Sequence, residues 1–205
     1  MKVFPSVIPV FPLSGVIYFP KTNLPLNIFE QRYIDLVNDT YNNDKFMGMI
    51  QSHKNGNKVY NVGCLGKISD FQKSSDGRIL INLTGITRFE IVKEVNNNKL
   101  YREFKVDYKN YELDLIDSAE DQNADSLMNK AKNFFKKNGL LLNWKEFEKL
   151  DEAQKINTLS MISPITNEEK QKLLETLTIK DKIITLEKII DFYNHEISFK
   201  NQTVQ

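Results

Sequence analysis

The hydrophobic pattern of this chain changes period once, near residue 111, and the change divides it into two kinds of sequence. From Val3 to about Asn110, apolar residues come in short β-rich runs cut by turn residues, the spacing of a barrel or sandwich. Asn55-Gly56 separates FMGMIQS from VYNVGCLGKI, and Asp76-Gly77 separates KISDFQ from ILINLTG. Both dipeptides tolerate the positive φ of tight hairpin turns, and Asn96-Asn97-Asn98 makes a third break, so successive antiparallel pairing is expected. One helix interrupts the strands. Phe29, Tyr33, Leu36, Val37 and Tyr41 recur at helical spacing, with Asn27 as N-cap and Glu30 three residues on, which predicts a helix from about Ile28 to Asn42.

After Tyr111 the stretch DLIDSAEDQNAD is acidic and polar, and residues 111–122 read as a linker between units 1–110 and 123–205. Every later apolar pattern is helical. Ala124, Leu127, Met128, Ala131, Phe134 and Phe135 form one stripe ended by Gly139 at the C′ position, with Lys130, Lys132, Lys136 and Lys137 on a solvated face. Further helices carry Trp144, Phe147 and Leu150; then Ala153, Ile156, Leu159 and Ile162, stopped by Pro164. Thr166 through Glu169 reads as a capping box for the helix holding Leu173, Leu174 and Leu177. The last helix carries Ile183, Leu186, Ile190, Tyr193 and Ile197, and a frayed tail is expected from Ser198 to Gln205. A bundle of four to five short helices follows.

With 40% hydrophobic and 27% charged residues, 205 residues suffice for one or two packed cores. The net charge of +1 provides no field to attract nucleic acid or an anionic membrane. Pro5, Pro9 and Pro12 break the apolar helix that a secretory signal requires, and no window approaches the roughly 18 apolar residues of a bilayer span. Cys64 is the sole cysteine, which rules out an intramolecular disulfide. These features lead to the expectation of a cytoplasmic protein.

Residues 8 to 37, IPVFPLSGVIYFPKTNLPLNIFEQRYIDLV, narrow the reading further. A proline-bracketed strand at Ile8 to Leu13, a second strand closed by Phe19-Pro20, and Leu26-Asn27-Ile28-Phe29-Glu30 leading into an Arg32-Tyr33 helix together resemble the opening of the Lon N-terminal, or LON substrate-binding, domain family. The resemblance continues through Val62-Gly63-Cys64-Leu65, Asp76-Gly77-Arg78, Gly85-Ile86-Thr87-Arg88-Phe89 and a strand around Tyr101. It covers residues 8 to about 110 specifically, with a helix-rich likeness to about 193. Gln31 stands where the family usually has proline, and Lys21 where glycine is common. The resemblance implies an α+β fold, a PUA-like antiparallel β-barrel with one inserted helix followed by the helical bundle.

Much of the signature has a structural reading. Pro9, Pro12, Pro20 and Pro25 suit strand ends and edges, Gly85 lets a strand bend where a barrel closes, and Arg88 is expected to bridge to a carboxylate such as Glu30. Glu30, Arg32, Gly85 and Arg88 are accordingly assigned as structural.

Full Lon enzymes add an ATPase and a serine-lysine peptidase, and neither signature occurs in this sequence. The one Gly-Lys pair, Gly66-Lys67, is followed by Ile68 and preceded at the required position by Asn61, so it is no P-loop. No Gly-x-Ser-x-Gly elbow is found. His53, Cys64 and His195 lack ligand spacing, so no metal or other cofactor is implied, and the chain is read as non-enzymatic. The resemblance implies a stand-alone module that binds unfolded or client polypeptides, an adaptor for a separate ATP-dependent protease in quality control. The excess of large apolar groups at Phe19, Leu24, Leu26, Phe29 and Tyr33 marks the expected client surface, where the first helix and nearby strands meet the bundle. The alternative is a small-molecule or RNA-binding PUA-like protein. Neutral charge and the lack of a basic-aromatic cluster count against nucleic acid.

Overall fold

The computed structural model describes residues 4–53, 58–116 and 124–202, and the chain divides into two compact units, Met1–Asp117 and Ser118–Gln205. The first unit holds β1 (Val7–Leu13), β2 (Asn23–Ile28), α1 (Gln31–Asn42), β3 (Phe46–Gln51), β4 (Val62–Lys73), β5 (Ile79–Val95) and β6 (Arg102–Asp107). A 3-10 helix follows at Lys109–Leu115.

The strand order is β2-β5-β4-β3-β1-β6, and β5 also pairs with β6, so the pairings β5–β4–β3–β1–β6–β5 form a closed circuit with β2 attached outside it. The 17-residue β5 makes this possible by dividing its partners. Its first half, Ile79 to Thr84, pairs with β2, and its second, Glu90 to Val95, pairs with β6. Ladder shifts at Leu65/Gly66, Ile68/Asp70 and Ile91/Lys93 bend the strands between these tasks.

The expectation of wholly antiparallel pairing is corrected at one place: β1 and β3 run parallel, Val10 opposite Gly48 and Leu13 opposite Gln51. The chain between them carries β2 and α1, a crossover long enough to return in the same direction, whereas a tight hairpin would force reversal. The sheet is therefore mixed. The Asp76-Gly77 turn joins β4 to β5 with Gly77 at φ 89, and the asparagine break lies between β5 and β6. Asn55-Gly56 lies outside the described residues.

The first helix begins later than its spacing predicts. Leu24 to Ile28 form β2, with Asn27 opposite Leu80 in the ladder, so Asn27 is not a cap. Helix α1 starts at Gln31 with Glu30 as N-cap and no side-chain cap bond. Its Tyr33, Leu36, Val37 and Thr40 are buried. Ile8, Val10, Ile50, Leu65, Phe89, Phe104 and Val106 form a core between the strands.

The described part of the expected 111–122 linker also differs. Tyr111 is buried and the 3-10 helix packs on β5, because Asp114 neutralises a charge buried there; residues 117–122 lie outside the described residues.

In the second unit, among the described residues, are α2 (Asp125–Lys137), α3 (Trp144–Phe147), α4 (Glu152–Ile162), α5 (Asn167–Glu175) and α6 (Ile179–Gln202). Leu127, Ala131, Phe134 and Phe135 are the buried face of α2. The helix ends as a Schellman motif. Gly139 has φ 67, its N–H donates to Lys136 O, and the Leu140 N–H donates to Phe135 O. Capping boxes start α4 (Asp151 with Gln154) and α5 (Thr166 with Glu169). The lysines of α2 are not all free in solvent: Lys130 pairs with Asp191 at 2.8 Å and Lys132 with Glu148 at 2.8 Å. Helix continues to Gln202 where fraying was expected from Ser198, and residues 203–205 lie outside the described set.

Candidate polypeptide-binding surface

Strand β2 pairs with β5 alone, so one of its sides carries no strand partner among the described residues. The register explains what each of its residues does. Leu24, Leu26 and Ile28 sit opposite Leu83, Ile81 and Ile79, whose side chains are buried, and strand alternation puts all six on the core face. Leu24 and Leu26 are nevertheless only half-buried, because they form the rim of that face. Asn23, Pro25 and Asn27 face outward, Asn23 accepting a 2.9 Å hydrogen bond from the Thr84 hydroxyl. Pro25 has no N–H and is tolerated here because β2 is an edge. Phe29 follows immediately, with 67% of its surface exposed.

Two residues assigned to the client surface are corrected to core. Phe19 is fully buried; its carbonyl accepts the Thr22 hydroxyl at 2.7 Å. Tyr33 is 7% exposed, its ring centroid 4.0 Å from that of Phe11 and its hydroxyl donating to Pro12 O at 3.4 Å. Burial raises its phenol pKa above the ordinary value, against a smaller lowering by Arg32. Aromatic content alone does not distinguish a ring that packs inward from one that faces out. The surface that remains is Leu24, Leu26 and Phe29.

The structural residues also rearrange. Glu30 does not reach Arg88. It accepts from Arg32 at 2.8 Å, an exposed pair at the start of α1, and the Arg32 guanidinium lies 4.5 Å over the Tyr33 ring. Arg88 pairs instead with Asp114 in the 3-10 helix, a residue that the polar stretch after Tyr111 did not single out. Gly85 packs so closely that a Cβ there would collide with the Phe19 carbonyl oxygen; its N–H donates to Thr22 O and its carbonyl accepts from Lys21 N–H, both at 2.9 Å. Lys21 has φ 59, a left-handed conformation that accounts for glycine being common at this position in the family it resembles. Tyr18 was missed as well. Buried beneath this loop, its hydroxyl donates to Leu83 O at 2.6 Å, and burial pushes its pKa far up.

Among the described residues no group of three or more His, Cys, Asp or Glu could hold a metal ion, and no helix is long and apolar enough to cross a membrane. His53 stacks on Tyr60 at 4.1 Å, and Cys64 is buried.

A family model described as the ATP-dependent protease La (LON) substrate-binding domain matches residues 7–192. Similar curated proteins include the Lon protease of Azorhizobium caulinodans, 24% identical over 205 residues covering 93% of this chain and 23% of the relative. Another is Lon protease 1 of Bacillus subtilis, 25% identical over 213 residues, 92% of this chain and 25% of the relative. The chain thus spans about a quarter of the length of these relatives. Among solved structures, the Lon N-terminal domain protein from Xanthomonas campestris superposes with a TM-score of 0.68 at 20% identity, covering 90% of this chain and 98% of that one. The N-terminal domain of the Mycobacterium avium complex Lon protease gives 0.66 at 15% identity, with the same coverage of 90% and 98%.

Proposed function

Because the chain belongs to the ATP-dependent protease La (LON) substrate-binding domain family, we propose that it recognises polypeptides without catalysing their cleavage, holding an extended client segment against the open edge of β2. The observation that carries this reading is that edge itself, without a strand partner on one side among the described residues and bordered by half-buried Leu24 and Leu26 and by exposed Phe29. A client strand laid along β2 would gain main-chain hydrogen bonds from the edge and apolar contact from the rim. Main-chain direction alternates along a strand, so residues 23, 25 and 27 share one in-plane side of β2; Pro25, which has no N–H to give a ladder, suits the open side, and in this reading Asn23 and Asn27 supply the donors.

In this reading the module acts in the cytoplasm as an adaptor that hands clients to an ATP-dependent protease. The closed circuit of strand pairings supports treating the first unit as a PUA-like barrel with β2 as its appended edge.

The test is fluorescence anisotropy with a labelled, permanently unfolded casein. Asn27→Pro removes one outward donor and Phe29→Ser the exposed ring; each should weaken binding about tenfold, the scale of one good hydrogen bond or one buried ring. Unchanged affinity in both variants would place the client elsewhere.

A further inference from the structure

The C-terminal end of α1 opens onto a second site, a cleft of about 510 Å³ whose walls include Asp39, Thr40, Asp44, Lys99, Tyr101 and Glu103. Three carboxylates there face one ammonium, an excess of two negative charges. Glu103 is fully engaged, accepting from Lys99 Nζ and from Asn97 Nδ2 at 2.8 Å each. The two aspartates are not. Asp39 Oδ2 accepts the Tyr101 hydroxyl at 2.6 Å and Asp44 Oδ1 accepts the Phe46 N–H at 3.0 Å, while the second oxygen of each accepts nothing among the described residues.

Two independent features point to a ligand here. Helix α1 ends at this cleft, which Asp39, Thr40 and Asn43 line, so the negative end of its dipole lies beside it, and the helix has no basic residue in its last turn. Thr40 lines the cleft and is 3% exposed, yet its buried hydroxyl has no hydrogen-bond partner among the described residues. A buried hydroxyl without a partner is uncommon, since leaving it unmade is costly. The helix end calls for positive charge and the hydroxyl, which can donate or accept, for a hydrogen-bonding partner; a donor carrying positive charge meets both. A bare metal ion does not fit, since no group of metal-ligating residues occurs among the described ones. A guanidinium does, because its several N–H donors, spread in one plane, can bond more than one oxygen at once.

We propose that this cleft binds the side chain of an arginine presented by a polypeptide, which would give an otherwise apolar recognition module a preference for basic clients. The source of the arginine, though not the cleft's chemistry, rests on the polypeptide-binding reading above.

The experiment is a nitrogen-15 NMR titration of the full chain with N-acetylarginine methylamide and, in parallel, its uncharged citrulline counterpart. The arginine probe should move the Thr40 and Tyr101 amide resonances saturably, with citrulline at least about fivefold weaker, the scale of partly exposed charge pairing. Asp39→Asn with Asp44→Asn keeps the bonds from Tyr101 and Phe46 and should abolish the distinction. Thr40→Val, nearly isosteric, should weaken the arginine probe while the melting temperature holds. Equal response to the two probes, or cleft resonances that do not move, overturns the proposal. An arginine-free extended peptide is titrated separately while resonances from Leu24 to Phe29 are followed. Its failure to bind would remove the β2 reading and leave the arginine result to stand or fall on its own probe.

Discussion

Arg88 and Asp114 meet in a two-oxygen ion pair, Nη2 to Oδ1 at 2.7 Å and Nε to Oδ2 at 2.9 Å, with side chains only 2% and 8% exposed. The Arg88 backbone N–H also donates to Asp114 Oδ2 at 2.9 Å, and the guanidinium lies 4.4 Å from the Tyr111 ring centroid. The pair fastens the 3-10 helix to the middle of β5. Asp114→Ala would leave a buried cation and a backbone donor without this partner, and should lower unfolding free energy by about 3–5 kcal/mol in urea denaturation. Glu146→Ala, which breaks the exposed pair with Lys149, should change it by less than about 1 kcal/mol. Equal effects of the two would contradict the burial argument.

The loop before β2 supports a pair of opposite substitutions. Gly85→Ala forces a methyl into the Phe19 carbonyl, a backbone atom that cannot rotate away, and should destabilise by about 1–3 kcal/mol. Lys21→Gly relieves a left-handed backbone at φ 59 and should stabilise by about 1 kcal/mol, less whatever the glycine adds to the freedom of the unfolded chain. Thermal melts of the two variants should move in opposite directions.

Phe29, just ahead of α1, and Tyr33, in its first turn, should behave differently. Tyr33→Ala opens a hole beside Phe11 and should cost about 3–5 kcal/mol. Phe29→Ala, at an exposed position, should stay within about 0.5 kcal/mol by the same chemical denaturation.

Alkaline pH should weaken the fold through its buried tyrosines. Burial, with a hydrogen bond to Asp39 next, pushes the Tyr101 phenol up to about 12 from its ordinary value of 10.0, and burial also raises Tyr18, Tyr33 and Tyr108. The unfolded chain therefore releases these protons first. Stability is complete below about pH 10 and falls as the pH rises from about 10 toward 12. A denaturation midpoint that stays flat between about pH 9 and 11.5 would count against these burials, and Tyr101→Phe should make the fall shallower.

Strand breaks and helix stripes were legible because turn residues and apolar period are local properties. Gly77 and Gly139 adopt the positive φ that their places in the sequence imply, and Thr166 with Glu169 closes its capping box. The parallel pairing of β1 with β3 was not legible, because it is decided by the path of the intervening chain. Asn27 looked like a helix cap because Phe29 shares the helical period, yet the ladder with β5 claims Leu24 to Ile28 first. Arg88 plainly needed a carboxylate, but the choice between Glu30 and Asp114 is made by three-dimensional proximity. The same limit misplaced Phe19 and Tyr33, since a ring carries no mark of which way it will face.

The strand circuit also sets an order of assembly during synthesis. Strand β1 is made well before β6, which begins at Arg102 and is one of its two neighbours. A nascent chain that stops short of that residue holds β1 with one open edge and the second half of β5 with another, each a template for wrong pairing. When Arg102–Asp107 arrives it occupies both edges at once, so one six-residue segment closes the circuit and leaves β2 as the edge still open among the described strands.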